Sequence, residues 1–144
     1  MNENTPPSDH MRINIPSHPK YLQLIRGVIE KMAVFAGFAE EDAGIIVLAV
    51  DEACSNIIKH SYMNDPGGEI DVAVEIRKTE LEIIIADYGN QCDLDMMQPR
   101  DLDDIRPGGL GIHIMNAVMD SVTYDCSSKI RNQVKMTKLL KPVR

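Results

Sequence analysis

The stretch Asp51-Glu-Ala-Cys-Ser-Asn-Ile-Ile-Lys-His-Ser-Tyr62 decides how this chain folds. Within it, Glu52, Asn56 and Lys59 follow one another at intervals of four and three residues. Side chains at that spacing share one face of a helix, so a carboxylate, a carboxamide and a cation form a single stripe. An acid and an amide that point the same way can hold a hydrated divalent metal ion or polarise a hydroxyl. The alternative is an ordinary solvated helix face.

Two downstream segments place glycines where the backbone can approach a ligand. The segment Ile83-Ile-Ile-Ala-Asp-Tyr-Gly89 is an apolar run that ends in Asp87, one further residue and Gly89. The segment Arg106-Pro-Gly-Gly-Leu-Gly-Ile-His-Ile-Met115 has three glycines within four positions: Gly108, Gly109 and Gly111. Glycines that lead into a helix present bare backbone amides to a phosphate. Because glycines also serve plain turns, the order of the three segments carries the inference.

The glycine spacing excludes two common phosphate-binding motifs. No Gly-Lys-Ser/Thr follows the glycines, so the segment is not a P-loop. No strand directly precedes Gly108 and the Gly-x-Gly-x-x-Gly pattern is absent, so the segment is not a dinucleotide-binding fingerprint.

In this order, the motifs resemble those of the ATPase domain shared by gyrase, the histidine kinases and the mismatch-repair ATPases, the Bergerat fold. Within that superfamily the chain is most similar to the stand-alone bacterial anti-sigma-factor serine kinases. The matching residues form an ordered series along the chain: Asp51-Glu52-Ala53 with Asn56, His60-x-Tyr62, Asp87-x-Gly89, Gly108 to Met115, and Met119-Asp120. The match extends from about Ile13 to Leu140.

The resemblance implies a role for individual residues at an ATP and Mg²⁺ site. Glu52 would be the general base, and Asn56 would coordinate Mg²⁺ through its side-chain oxygen. Asp87 would accept a hydrogen bond from the adenine amino group, with Gly89 letting the base approach the backbone. The remaining expected nucleotide contacts are two cations, the glycine turn and an amide near the last strand: Lys59, Arg106, Gly108, Gly109, Leu110, Gly111 and Asn132.

Each assignment has an ordinary structural alternative. Glu52 alone is an unremarkable helix acid, Asn56 an amide that bonds locally, and Asp87 a turn acid at a strand end. The family often carries a Gly-Thr turn before the last strand, whereas this chain has Lys129-Ile-Arg-Asn-Gln-Val134 without a glycine. That departure puts a phosphate contact at this turn in doubt.

Composition indicates a single folded domain with an aliphatic core. The chain has 144 residues, with 44% hydrophobic and only 4% aromatic residues. Its net charge of -7 argues against nonspecific nucleic-acid binding, which needs a basic surface. Without a signal peptide or a run of 18 apolar residues, we expect a soluble cytoplasmic protein that does not bind a membrane.

The chain has an odd number of cysteines, Cys54, Cys92 and Cys126, and no Cys-x-x-Cys spacing. This pattern predicts neither a disulfide framework nor a zinc site. Cys54 is predicted to be a small core residue.

Hydrophobic periodicity predicts five strands and three helices. The predicted strands are 11–15, 70–76, 81–86, 122–126 and 134–140, and the predicted helices are 18–36, 40–62 and 110–119. Ser17 is expected to cap the first helix, whose predicted inner face is Tyr21, Ile25, Val28, Met32 and Phe35. Consecutive isoleucines at 83–85 suggest a strand buried on both faces.

These elements predict a two-layer α/β sandwich, in which a mixed, mostly antiparallel sheet is covered on one face by about three helices. Residues 1–10 are assigned to a flexible tail and residues 11–144 to a single ATP-binding, kinase-like domain. Residues 90–107 correspond to the family's ATP lid. Their aspartates lack the register of an EF-hand, so no calcium site is predicted there.

The resemblance implies an ATP- and Mg²⁺-dependent serine/threonine protein kinase of the anti-sigma type. Its substrate would be an anti-sigma-factor antagonist protein, with a sigma factor or another regulator as the competing partner, and a homodimer fits this scheme. Arg26 resembles a partner-contacting arginine of these kinases. One alternative is a nucleotide-binding interaction module with little phosphotransfer. Another is a detached histidine-kinase catalytic domain, which Glu52 disfavours because those domains usually carry an amide there.

Overall fold

The computed structural model describes residues 9–97 and 109–141 of the chain. The strands are β1 (Asp9–Pro16), β2 (Glu69–Ile76), β3 (Glu80–Asp87), β4 (Ser121–Asp125) and β5 (Asn132–Leu139). The α-helices are α1 (Leu22–Ala36), α2 (Glu40–Asn56) and α3 (Gly109–Val118). Shorter helical segments are two 3₁₀ helices, Pro19–Tyr21 and Leu94–Met97, and a π-helical segment, Ile57–Ser61, that continues α2.

Two predicted boundaries extend beyond the described residues. Asp9 and His10, assigned to the tail, already belong to β1, whereas residues 1–8 lie outside the description. The predicted lid at 90–107 includes the 3₁₀ helix Leu94–Met97, and its remainder from residue 98 also lies outside.

The strands form one sheet in the order β1-β2-β3-β5-β4, and each neighbouring pair is antiparallel. After β3 the chain passes through α3 to the sheet edge, where β4 lies, and β5 then returns between β4 and β3. The predicted two-layer sandwich is confirmed. The mixed character of the sheet is not seen, because no parallel pair occurs among the described strands.

The core lies between the helices and one face of the sheet. Side chains alternate between the two faces of a strand, and on β2 the residues Ile70, Val72 and Val74 are all buried. The central strand β3 is buried on both faces, as predicted, with six of its eight residues buried. On its outer face, Glu82 is only 6% exposed and pairs with Lys135 at 3.0 Å. Burial of that face therefore depends on ion pairs as well as apolar packing.

The inner face of α1 differs from the predicted one. Its buried residues are Leu22, Ile25, Ile29 and Ala33. Only Ile25 was among those predicted, and Phe35 is 74% exposed. The apolar residues of this segment fit two overlapping helical stripes, and packing against α2 selects one of them.

Ser17 does not cap a helix, so that prediction was wrong. Its side chain is buried, and its Oγ donates to the carbonyl oxygen of Asp65 at 2.7 Å and accepts from the amide of Gly68 at 2.9 Å. The 3₁₀ helix that starts at Pro19 is capped instead by His18. Ser17 therefore fastens the end of β1 to the turn before β2.

Tyr62 fastens the end of the π-helical segment to two strands. Its hydroxyl accepts from the amide of Tyr88 at 2.8 Å and donates to the carbonyl oxygen of Glu69. Its ring lies so close to Gly68 that a Cβ there would come within 2.3 Å of the ring. These contacts fix the segment after α2 relative to the strand ends of β2 and β3.

Cys92 and Cys126 form a disulfide with an S–S distance of 2.00 Å, which corrects the prediction of no disulfide. The odd cysteine count excluded complete pairing but not one pair across 34 residues. Cys54 is fully buried in the core, as predicted.

Of the helices in the described ranges, none combines the length and apolar character needed to cross a membrane.

Candidate active site

A cavity of about 40 Å³ lies where the end of α2 and the π-helical segment meet the ends of β3, β4 and β5. Its apolar lining consists of Ala53, Ile57 and Val134. Its remaining lining residues carry polar or sulfur-containing side chains: Asn56, His60, Ser61, Asp87, Cys92, Tyr124, Asn132 and Gln133. The sequence motifs on the second helix and after β3 thus meet at one place, together with residues from the closing hairpin.

Asp87 is the buried acid of this cavity. It is the last residue of β3, is only 2% exposed, and forms an ion pair with none of the described cations. Its Oδ1 accepts hydrogen bonds from Asn132 Nδ2 at 2.9 Å and from the amide of Gly89 at 3.1 Å. Burial raises the pKa of Asp87, and hydrogen bonds from Asn132, Gly89 and Ser61 offset that only in part. A buried carboxylate without a cation in a cavity is a common feature of functional sites.

Asn132 was predicted to contact the nucleotide. In the structure its carboxamide forms hydrogen bonds with other residues of the protein. Besides Asp87, its Nδ2 donates to the carbonyl oxygen of Asn90 at 2.8 Å. Its Oδ1 accepts from the amide of Cys92 at 2.7 Å. Both amide hydrogens are thereby used, so Asn132 orients Asp87 and the segment that follows it.

Gly89 is in its position because no side chain fits there. A Cβ at Gly89 would come within 2.4 Å of the backbone oxygen of Ser61. That same oxygen accepts the amide hydrogen of Asn90 at 2.8 Å. The chain after β3 therefore lies directly against the π-helical segment.

Glu52 and Asn56 lie one helical turn apart near the end of α2, both half-buried. Asn56 lines the cavity, whereas Glu52 does not. Neither side chain forms a hydrogen bond or ion pair with a residue in ranges 9–97 and 109–141. The predicted pair is therefore intact on one helical face, with the amide inside the cavity and the acid outside it.

Lys59 is exposed and does not line the cavity. The amide of Tyr62 bonds to the carbonyl oxygen of Ile57, the i→i+5 pattern of a π-helix. The residues of this segment that line the cavity are Ile57, His60 and Ser61, which lie three and four positions apart and share one helical face. Lys59 lies outside that face, so the expected Lys59 contact is not part of the cavity lining.

The glycine turn is described only in part. α3 begins at Gly109, so Gly109, Leu110 and Gly111 form the backbone of its first turn. Arg106 and Gly108 lie outside the described residues. No group of three or more His, Cys, Asp or Glu side chains that could hold a metal ion occurs within the described ranges.

Sequence reasoning missed Ser61 and Tyr124. Ser61 lies inside the quoted motif, but its contact with Asp87 joins two elements distant in sequence, which the motif does not show. Tyr124 comes from β4, and burial raises the pKa of its phenol to about 12. Its apolar-polar alternation indicated a strand, and nothing in that pattern pointed to the cavity.

A family model described as a histidine kinase-like ATPase domain matches residues 15–138. The chain belongs to this family. The serine-protein kinase RsbW of Bacillus velezensis is 31% identical, over 92% of this chain and 86% of that protein. RsbW of Bacillus subtilis is 30% identical over 92% of this chain and 87% of that protein. The predicted resemblance to anti-sigma-factor serine kinases is confirmed.

Solved structures agree on the fold. The RsbU and RsbW domains of Rv1364c from Mycobacterium tuberculosis match 96% of this chain with a TM-score of 0.67 at 17% identity. This chain corresponds to 34% of that longer protein. The histidine kinase domain of the Erythrobacter litoralis blue-light activated kinase EL346 matches 86% of this chain and 61% of its own, with a TM-score of 0.54 at 18% identity. At such identities the similarity supports the fold alone.

The substitution Gly89→Ala should destabilise the protein by about 1–3 kcal/mol, because its Cβ would overlap the backbone of Ser61. Gly44→Ala is the matched control: it lies within α2, where an added Cβ would meet no neighbouring group within 4 Å, and it should add up to about 1 kcal/mol through helix propensity. Urea unfolding of both variants measures the difference. Equal stability of Gly89→Ala and the parent would contradict the close approach.

The resemblance implies that Asp87 accepts a hydrogen bond from the adenine amino group. If it does, nucleotide affinity should decrease as the pH is lowered through the raised pKa of Asp87, because the ionised carboxylate is the better acceptor. The loss should begin above the ordinary carboxyl range and approach about tenfold per pH unit, the limit for one proton. Calorimetric titration with ADP across the acidic range measures it.

His60 lines the same cavity, so His60→Gln is the control for this pH dependence. His60→Gln should keep the acid dependence, whereas Asp87→Asn should remove most of the affinity at every pH while leaving the protein folded. Disappearance of the pH dependence in His60→Gln would assign it to the imidazole instead.

Proposed function

We propose that this protein is an ATP- and Mg²⁺-dependent serine/threonine protein kinase of the anti-sigma type, which phosphorylates an anti-sigma-factor antagonist in a partner-switching system. The observation that carries the proposal is the buried Asp87, which has no described cation beside it, in a cavity that also holds the amide of Asn56. Membership of a family whose relatives are serine-protein kinases supports the phosphotransfer.

Adenine recognition is assigned to Asp87. Asn132 and Gly89 donate to its Oδ1, and Ser61 also donates to the carboxylate. A carboxylate offers about four acceptor positions, so one remains for the adenine amino group. The surrounding burial strengthens such a hydrogen bond because little water competes for it. The apolar lining residues Ala53, Ile57 and Val134 offer surface to the ring.

Asn56 fits the role of a Mg²⁺ ligand. Its carboxamide lines the cavity and has no described partner, and a hard oxygen donor with few protein neighbours suits this ion. When bound, Mg²⁺ neutralises charge on the phosphate oxygens. The first turn of α3, from Gly109, presents backbone amides of the kind that bind phosphate.

Glu52 is assigned as the general base. It would accept the proton of the attacking serine or threonine hydroxyl while the new O–P bond forms and the bond to the leaving ADP breaks. Its place outside the cavity lining suits this role, because the protein substrate approaches from solvent. Its carboxylate forms no hydrogen bond or ion pair with another residue in ranges 9–97 and 109–141, so it is available to accept that proton.

Arg26 is assigned to the surface that binds the antagonist. It is 47% exposed and its Nε lies 2.7 Å from Asp51 Oδ1, which joins α1 to α2 one residue before Glu52. This pair anchors the guanidinium on α2 at the residue that precedes the proposed base in the sequence. A sigma factor or another regulator would compete for the protein. We assign the protein to the cytoplasm and propose that it forms a homodimer.

A nucleotide-binding interaction module with little phosphotransfer is the second candidate. The specific observation in its favour is that the turn before β5 lacks the glycine that the family often carries there. Such a module would bind ATP or ADP and a partner through the same residues.

Substitution Glu52→Gln separates the two candidates. It keeps the side-chain shape but removes the proton acceptor, so phosphotransfer should fall by about a hundredfold or more with nearly unchanged ATP affinity. Radiolabelled ATP and an antagonist protein from the same genome neighbourhood provide the assay. Glu30→Gln on the exposed side of α1 is the control and should retain full activity. Equal rates for Glu52→Gln and the parent would remove Glu52 as the base.

Substitution Arg26→Ala should weaken antagonist binding by about 2 kcal/mol, the scale of an interface arginine. Its effect on nucleotide affinity and melting temperature should be small, because an exposed ion pair contributes little stability. Calorimetric titration with the antagonist in the presence of ADP measures this. Lys31→Ala, exposed on the same helix, is the matched control. Unchanged affinity in Arg26→Ala would locate the docking surface elsewhere.

A further inference from the structure

The disulfide Cys92–Cys126 lies in the wall of the nucleotide cavity. Cys92 lines the cavity five residues after Asp87, and Cys126 follows β4 with 9% exposure. The bond therefore joins the segment after β3 to the β4–β5 hairpin. It is a covalent part of the site, although none of the assigned chemistry uses it.

Hydrogen bonds couple this disulfide to the adenine-binding acid. The amide of Cys92 donates to Asn132 Oδ1 at 2.7 Å, and the same carboxamide donates to Asp87 Oδ1 at 2.9 Å. Next to it, Gln91 Nε2 donates to the carbonyl oxygen of Cys126 at 2.7 Å. A change in the position of Cys92 therefore acts on the amide that orients Asp87.

The third cysteine, Cys54, does not take part in thiol exchange with this disulfide. Cys54 is fully buried in the core, and burial raises the pKa of its thiol to about 12. A thiol in that environment is unreactive because the thiolate is the nucleophile. In a cell interior kept reduced by small thiols, a disulfide is usually transient and regulatory rather than structural.

We propose that Cys92–Cys126 is a redox-sensitive control of the nucleotide cavity, with the oxidised protein binding nucleotide more tightly than the reduced one. This inference rests on the proposed function, since it concerns the regulation of the same site. The disulfide restricts the segment that carries Cys92 before the ligand arrives, so binding requires less ordering. Reduction frees that segment and loosens the support of Asp87 through Asn132.

The reaction partner is a low-molecular-weight thiol. Its thiolate attacks Sγ of Cys92, the more exposed partner, to form a mixed disulfide and release Cys126 as a thiolate. A second small thiolate attacks the outer sulfur of the mixed disulfide and releases Cys92. The two protein thiolates take up two protons, and the small thiols leave as one disulfide. Two electrons thus pass from the small thiols to the protein.

Thermodynamic linkage supplies an independent readout. If oxidation raises nucleotide affinity by some factor, saturating nucleotide must stabilise the disulfide by that same factor. A coupling of about tenfold would lower the reduction potential of the pair by about 30 mV.

The experiment uses the full chain in glutathione buffers of graded redox ratio. Calorimetric titration measures Mg-ADP affinity in each buffer, and thiol alkylation followed by mass spectrometry measures the oxidised fraction with and without ADP. We expect at least about fivefold tighter binding by the oxidised protein and an equal shift in its redox midpoint. Cys92→Ser with Cys126→Ser should bind like the reduced parent at every ratio, and Cys54→Ala should keep the redox response.

Equal ADP affinity in the oxidised and reduced parent would overturn the inference and leave the proposed function standing. A pair that stays oxidised, or stays reduced, in every buffer would also overturn it. Absence of ADP binding in both redox states would instead remove the proposed function. The parent alone decides between these outcomes, so the result does not depend on the folding of the serine variants.

Discussion

The burial of the Asp87 carboxylate is the constraint on which the rest of the site depends. The acid ends the central strand β3 and is 2% exposed, with no described cation beside it. Its Oδ1 accepts hydrogen bonds from Asn132 and from the amide of Gly89. Gly89 itself lies against the backbone of Ser61, where a Cβ would not fit. The strand end, the π-helical segment and the start of β5 are thereby fixed relative to one another by one carboxylate.

The burial of Asp87 lowers the stability of the folded protein at neutral pH. The folded state raises the pKa of Asp87 above its unfolded value, so between the two values the folded protein binds more protons than the unfolded chain. Stability therefore falls as pH rises through that window, and the ionised acid is a net cost at neutral pH. In the proposed function, the adenine amino group donates a further hydrogen bond to this carboxylate and recovers part of that cost.

The motif from Asp51 to Tyr62 places its polar residues at two different positions relative to the cavity. Up to Asn56 the helix keeps its regular period, so Glu52 and Asn56 stay on one face. The π-helical segment that follows contributes His60 and Ser61 to the cavity and leaves Lys59 exposed. Asn56 thus lines the cavity while the half-buried Glu52 lies outside its lining, and the proposed function assigns the nucleotide to the first position and the protein substrate to the second.

The sequence by itself determined the elements and their layering, because these follow from local periodicity. The resemblance to a known family, carried by motifs a few residues long, implied that the acid-amide helix and Asp87 share one site. The sequence could not determine the buried face of α1, where two apolar stripes overlap, or the π-helical segment at the end of α2. The positioning role of Asn132 and the disulfide across 34 residues were also decided only by tertiary structure. Both join residues distant in sequence, and strand order, which no local pattern records, brings them together.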